Sequence, residues 1–438
     1  MSDFQKNSMM GLFLTSLLIA LITETFLNNA LFAVMQTFDV SASVVHWLSS
    51  LYILVLGLMI PTSAFIFYNF STRVIYVAMM GLFAIGSLIC LVSPNFYILL
   101  LGRVLQAVVA GTLMPLVQNV VLVIYEKSRR PFIFGLVGMI IAIGPAIGPV
   151  LSGFVLHYTS FRSLFLIVFI LSLVLFSLGL KLIFDISPHE ERKLDFQSLA
   201  YSTLGFGLLL SSLSLMGEHH QVDMMTLSML VLGIVILGVF CLRQLTIRNY
   251  LMNLRVLKDR TFTLPMLLAS ICNFSLLGVE LVIPLYLQQM NNLDALTTGL
   301  ILLPGSLLLG VISPFSGRLY QKFGYKKLAI VGFSILILGT LPYLMIESLS
   351  LVAITIFYMI RIGGLGLVLI PSLPHAMENL NKDYTVDGNA VFSTIREIAA
   401  ALGMTILMTL LALSHLLSFT IAIAIAAIGL LIALFFVK

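Results

Sequence analysis

The sequence predicts an all-α polytopic membrane protein, and three observations carry that prediction. Of 438 residues, 60% are hydrophobic and 9% charged, where a soluble chain is about one quarter charged; the mean hydropathy is +1.12. There are too few charges to cover a water-facing surface. Apolar runs long enough to cross a bilayer, which needs about 20 residues, recur along the whole chain. Nineteen of the 23 Lys and Arg residues fall in alternate connections between these runs, the asymmetry expected of cytoplasmic loops. The net charge of +5 does not indicate nucleic-acid binding, because the basic residues form no single soluble face.

Taken in order, fourteen spans are predicted: 9–37, 44–68, 74–93, 97–125, 131–157, 162–184, 196–217, 224–246, 262–289, 296–317, 327–346, 349–373, 390–413 and 416–437. The first run lacks a small-residue cleavage site and contains Glu24, so it reads as a retained helix. Basic clusters such as Lys127, Arg129 and Arg130 or Arg318, Lys322, Lys326 and Lys327 mark inner connections, and outer loops hold only Arg162. Both termini are therefore expected in the cytoplasm. The chain divides into a six-helix bundle over 1–190, a two-helix insert over 191–250 and a second six-helix bundle over 251–438. Glu24 and Glu280 occupy similar depths in the first helix of each bundle. Internal repetition around a central site is how many secondary transporters are built.

The polar outliers within the spans are the candidate site. Glu24 sits in Thr23-Glu24-Thr25-Phe26-Leu27-Asn28, inside an otherwise apolar run. A carboxylate there costs a few kcal/mol or more and marks a substrate or proton route by default. Desolvation disfavours its charged form, so it can take a proton on one side of the membrane and release it on the other. The structural alternative is an acid hydrogen-bonded to Thr25, Asn28 or another helix; both readings extend to Glu280. Arg103 and Arg361 need acceptors. Arg103 reads as an electrostatic partner of the first acid or as a tie to backbone carbonyls, and Arg361 as a positive charge offered to the second bundle's acid. Arg396 and Glu397 are adjacent, so separate partners are expected. Gly144, Gly148 and Ser152 fall four apart and make a smooth helix stripe, and Pro145 and Pro149 each remove a helix hydrogen bond. His375, near Glu378, reads as a loop histidine or a proton relay. Cys90, Cys241 and Cys272 show no metal or disulfide spacing. The histidines at span ends and loops, His46, His157, His189, His219, His220 and His415, form no metal cluster, and no phosphate-binding glycine loop is present. No cofactor is expected.

Four stretches resemble the fourteen-span drug:proton antiporter family of the major facilitator superfamily. Leu101-Gly102-Arg103-Val104-Leu105-Gln106-Ala107 resembles its buried-arginine motif, and Gly144 to Gly153, Gly-Pro-Ala-Ile-Gly-Pro-Val-Leu-Ser-Gly, its antiporter motif. Thr159 to Phe165 resembles the loop that follows, and Gly317-Arg318-Leu319-Tyr320-Gln321-Lys322-Phe323-Gly324 the loop that gates the inner face. The first-span sequence is similar to that of lincomycin-exporter-like members. Three positions depart from the pattern. Thr23 stands where Asp is usual, with the acid one place later; Tyr68, Asn69, Ser71 and Thr72 replace the first gating loop's usual residues before Arg73; and Gln321 replaces an Asp.

The resemblance implies proton-coupled export of amphipathic, cationic drugs or dyes across a bacterial inner membrane by a monomer. Glu24, Glu280 and Arg103 would couple protons. Thr25, Phe26, Asn28, Trp47, Tyr52, Asn273, Phe274, Tyr286, Gln288, Tyr358 and Arg361 would line the cavity with the two acids. Gly144, Pro145, Gly148, Pro149 and Gly153 would form a pivot, or plain close packing. Arg73, Gly317, Gln321, Lys322 and Gly324 would gate. Cation/proton exchange and export of a native metabolite or lipid are the rival transport chemistries. An intramembrane enzyme would need a paired nucleophile and base or metal ligands, and a channel a ring of repeated pore residues; neither pattern is found.

Overall fold

The structure is a computed structural model. It describes the chain except residues 1, 46, 187–194, 220–222, 248–249, 291–292, 294, 379, 382–383 and 436–438. The expected boundary at 190/191 and the loop histidines His46, His189 and His220 lie outside the described residues, as do the side chains of Asn28 and His219. The described residues are helices and connections. In order they are α1 (Asp3–Thr25), a 3₁₀ turn (Phe26–Asn29), α2 (Leu31–Phe38), α3 (Ala42–Val45), α4 (Trp47–Met59), α5 (Ser63–Asn69), α6 (Thr72–Val92), α7 (Phe96–Ile124), α8 (Arg130–Tyr158), α9 (Phe161–Leu182), α10 (Phe196–His219), α11 (Met224–Thr246), a 3₁₀ turn (Leu254–Lys258), α12 (Arg260–Met290), α13 (Ala295–Phe323), α14 (Tyr325–Thr340), a 3₁₀ segment (Leu341–Ser348), α15 (Leu351–Ala376), α16 (Thr385–Leu413) and α17 (His415–Phe435).

Among the described residues twelve helices are long and apolar enough to cross a membrane, or thirteen with α4 and α5 joined across a 52° bend. The fourteen expected spans are not all reached: α10, at the seventh, is not among them. Of the spans expected to be continuous, the first, second and eleventh are interrupted, the last where α14 passes into the 3₁₀ segment. Pro61 lies in the α4–α5 break and lacks the N–H a helix needs there. The Thr62 hydroxyl donates to the Met59 carbonyl (2.7 Å) and the Ser63 hydroxyl to the Ile60 carbonyl (2.6 Å), satisfying backbone that the break frees. The first span breaks at its polar motif, where α1 passes into the 3₁₀ turn.

Two compact units emerge. One comprises Met1–Ile124 and Ile140–Leu199, the other Tyr125–Met139 and Ala200–Lys438. In the first, α7 packs on α1, α4 and α6, and α9 on α1 and α6. In the second, α15 packs on α12, α13 and α14, and α17 on α12 and α14. The same five helix pairings thus occur in each. Glycines set one pairing in both. A Cβ on Gly102 would stand 2.7 Å from the Gly86 carbonyl, and one on Gly332 would stand 2.8 Å from that of Gly364, so α6–α7 and α14–α15 meet backbone to backbone. In the second unit α10 also packs on α16 through Leu209, Leu213 and Ala401, and the Thr405 hydroxyl donates to the Leu213 carbonyl (2.8 Å).

Candidate functional site

In the first unit the site is built on the break in the first span. α1 ends at Thr25, one residue past Glu24. Arg103 of α7 is fully buried; its Nη1 donates to the Thr23 carbonyl (3.0 Å) and to Gln106 Oε1 (3.1 Å), and its Nη2 to the Glu24 carbonyl (3.5 Å). Gln106 is held in turn by donating to the Ser87 hydroxyl (2.9 Å). The guanidinium lies 4.1 Å from the centre of the Tyr52 ring and 5.9 Å from that of Phe26. Glu24 is half-buried, and its carboxylate interacts electrostatically with both Arg103 and Tyr52. Arg103 is thus tied to the carbonyl end of α1 and carries its charge near the Glu24 side chain.

The glycine–proline stretch of α8 packs on the same break. Cβ atoms on Gly144 and Gly148 would strike Leu21, and Thr25 with the Ile22 carbonyl, respectively. Pro149 cannot donate to the Pro145 carbonyl four residues earlier, and the Thr25 hydroxyl donates there instead (3.3 Å). One turn on, Asn29 Nδ2 donates to the Pro149 carbonyl (2.8 Å). Gly153 meets only Asn29 Nδ2, at 3.7 Å from a Cβ. Trp47, expected at the cavity, is 49% exposed at the start of α4. Arg73 is exposed beside Thr72, whose N–H donates to Asp185 Oδ1 (3.0 Å).

In the second unit Glu280 of α12 is half-buried and Arg361 of α15 fully buried. The two interact electrostatically, and Tyr358 interacts with both. Arg361 Nη2 donates to the carbonyl of Ser275 and to its hydroxyl (3.0 Å to the latter). This repeats, between α15 and α12, the tie that Arg103 makes between α7 and α1. Gly305 leaves room for the Tyr358 ring and Gly339 for the Arg361 backbone. Asn273 Nδ2 donates to the Arg396 carbonyl (3.3 Å), and Phe274 is buried where its carbonyl meets Gly403. Tyr286 is buried against His415, with ring centres 5.3 Å apart, and Gln288 is exposed near the end of α12. Arg396 and Glu397 pair with each other: Arg396 Nη2 donates to Glu397 Oε1 (3.0 Å). The long arginine side chain spans the angle that adjacent helix positions otherwise impose.

The expected second gating loop is helical over most of its length: Gly317 to Phe323 form the last turns of α13, and Gly324 alone joins α13 to α14. Gly324 there has φ +77°, a backbone conformation only glycine adopts readily. Gln321 Nε2 donates to the Ser128 carbonyl, a Cβ on Gly317 would strike Pro131, and Lys322 is exposed. Next to it lies a cluster of which pattern reading found His375 and Glu378 but not the tyrosines. His375 stacks on Tyr325 (4.7 Å between ring centres). The Tyr320 hydroxyl donates to Glu378 Oε2 (2.7 Å) and lies 3.1 Å from His375 Nδ1. His375 is thus an enclosed side chain, 21% exposed, rather than a solvated loop residue. Asp387, fully buried at the start of α16 and accepting from the Asn253 N–H (3.2 Å), was also missed. Tyr320, Tyr325 and Asp387 have no local signal: the residues they meet here are remote in sequence.

The Major Facilitator Superfamily profile matches residues 12–404. The chain belongs to the major facilitator superfamily. It is 32% identical over 412 residues to the uncharacterized MFS-type transporter YcnB of Bacillus subtilis, covering 93% of this chain and 87% of that protein. It is 32% identical over 400 residues to the lincomycin resistance protein LmrB of Listeria innocua, covering 91% and 85%. The crystal structure of the human organic anion transporter MFSD10 shares the fold, with a TM-score of 0.72 at 14% identity over 99% of this chain and 100% of that one. A major facilitator protein is a transporter and not an enzyme, which agrees with the isolated acids and arginines of the two sites. Membership also makes this a multi-span integral membrane protein.

Proposed function

We propose that this major facilitator protein is a proton-coupled efflux antiporter of amphipathic, cationic drugs in the bacterial inner membrane. The observation that carries the reading is the half-buried Glu24 carboxylate on a broken first span, with the buried Arg103 beside it. The 32% identity to the lincomycin resistance protein supports a drug substrate. In this scheme a cationic drug and a proton compete for the Glu24 carboxylate. Protonation from the outer side releases the drug; deprotonation towards the cytoplasm restores its counter-ion. Glu280 supplies a second exchangeable acid, and Arg103 and Arg361 hold the first helix of each bundle while tuning its carboxylate. The bundles 1–190 and 251–438 rock about the midplane with 191–250 as an accessory hairpin, giving fourteen spans and two cytoplasmic termini in a monomer. Thr25, Phe26, Asn28, Tyr52, Asn273, Tyr286, Gln288, Tyr358 and Trp47 line the route. Gly144 to Gly153 serves as the pivot, and Arg73 with the Gly317–Gly324 loop as the inner gate.

Dye efflux from everted vesicles tests the scheme. Glu24→Gln should fold and insert normally but lose export driven by an imposed pH gradient. Wild-type export by that variant refutes the coupling role. Transport in drug-free proteoliposomes under a sodium gradient would instead establish cation/proton exchange.

A further inference from the structure

A groove of about 670 Å³ runs between α13, α14 and α15 of the second unit. Its α13 wall is Leu308, Ile312, Phe315 and Leu319; Ile360 and Gly363 of α15 form much of the opposite side. Phe315 is 54% exposed. In a membrane-spanning helix such a surface meets hydrocarbon rather than water. The α13 residues follow a helical repeat of four, three and four, and Lys322 continues the same stripe one turn beyond Leu319. At that end the Arg318 guanidinium lies 5.8 Å from the Phe315 ring centre and 5.0 Å from that of Phe132. Arg318 and Lys322 are exposed and, among the described residues, have no ion-pair partner. Lys326 and Lys327 follow directly. Glu378, the acid that reaches Tyr320 of the same stretch, accepts from the Tyr320 hydroxyl.

We propose that this groove binds an anionic phospholipid, one acyl chain lying along α13 and α15 and the phosphate seated on Arg318 and Lys322. An apolar channel alone would take any hydrocarbon. Unpaired cations at one end select a negative headgroup, the pattern by which basic pockets between transmembrane helices bind anionic lipids. Gly363 lets the chain lie deep, since a Cβ there would meet only Ile312, at 3.5 Å.

Native mass spectrometry of the full-length purified chain tests this without measuring transport, using phosphatidylglycerol and phosphatidylcholine with identical acyl chains. Wild type should retain phosphatidylglycerol preferentially. Arg318→Gln and Lys322→Gln should each weaken that retention about fivefold, the effect of one basic charge at a membrane surface, and Arg318→Lys should keep most of it. Gly363→Leu should fill the groove and lower retention of both lipids. Monodisperse elution in phosphatidylcholine checks that each variant is folded. Equal retention of the two lipids by wild type, or undiminished phosphatidylglycerol on the R318Q/K322Q double variant, overturns the proposal. So does equally tight binding of soluble glycerol 3-phosphate, because the groove would then contribute nothing.

Discussion

Arg103 is the side chain on which the first unit's site turns, and its geometry decides how a substitution there behaves. A planar fork reaches two carbonyls at the end of α1 and Gln106 at once, over the face of Tyr52. Lysine keeps the charge but not the fork. Arg103→Lys should therefore lower stability by about 1–2 kcal/mol, the cost of one or two unmade buried hydrogen bonds, read as thermal unfolding in detergent. Arg103→Ala leaves the carbonyls and Gln106 without their donor and should cost more. Equal unfolding temperatures for wild type and R103K would mean that the fork contributes nothing to the tie. At this scale the sequence was informative wherever a charge interrupted hydrocarbon: Glu24, Arg103, Glu280 and Arg361 announce themselves by composition. Their partners do not. Tyr52 reaches Arg103 and Tyr320 reaches His375 across about 50 positions, which leaves no periodicity to read. His375 looked like a loop residue because nothing local encodes the two tyrosines around it.

Helix lengths were legible from hydropathy; helix breaks were less so, because a broken span has the same composition as a straight one. The polar run at Glu24 was visible, but not that it replaces α-helix with a 3₁₀ turn. The repeat of glycines in α8 was also visible, but not what it touches. The contacts make the stripe testable. Gly148 faces the Thr25 hydroxyl and the Ile22 carbonyl, the latter 3.0 Å from a Cβ, whereas Gly153 meets one flexible amide at 3.7 Å. Ala in place of Gly usually favours a helix by up to about 1 kcal/mol. Gly153→Ala should thus be neutral or stabilising, while Gly148→Ala should lower the unfolding temperature and Gly148→Leu should prevent accumulation in the membrane. Equal tolerance at both positions would show that α8 is free to move away from α1. Thr25→Val should have a related, smaller effect, because it strands the Pro145 carbonyl that Pro149 already leaves without a helix donor.

For the whole molecule, the pairing of helices recurs in both units, yet the number of crossings depends on α10. It is 24 residues long, enough to span, but carries Gln197, Ser198, Ser202, Ser211 and Ser212 along with its leucines. Whether it crosses separates the fourteen-span topology from one with thirteen or twelve crossings. Phe196 is 75% exposed at the start of α10 and Met224 is 84% exposed after it, so cysteines there should be reached by a maleimide without disturbing packing. The background is simple: Cys90 and Cys272 are buried, and exposed Cys241 can be replaced by serine. If α10 crosses, a membrane-impermeant maleimide should label Phe196→Cys only in everted vesicles and Met224→Cys only in intact cells, as the placement of Arg243 in the last turn of α11, at a basic inner connection, requires. Labelling of both from the same side would make α10 a surface helix, with an odd number of crossings if the α4–α5 pair spans. The termini could not then share a compartment, and the accessory hairpin would be withdrawn while the two repeated bundles stood.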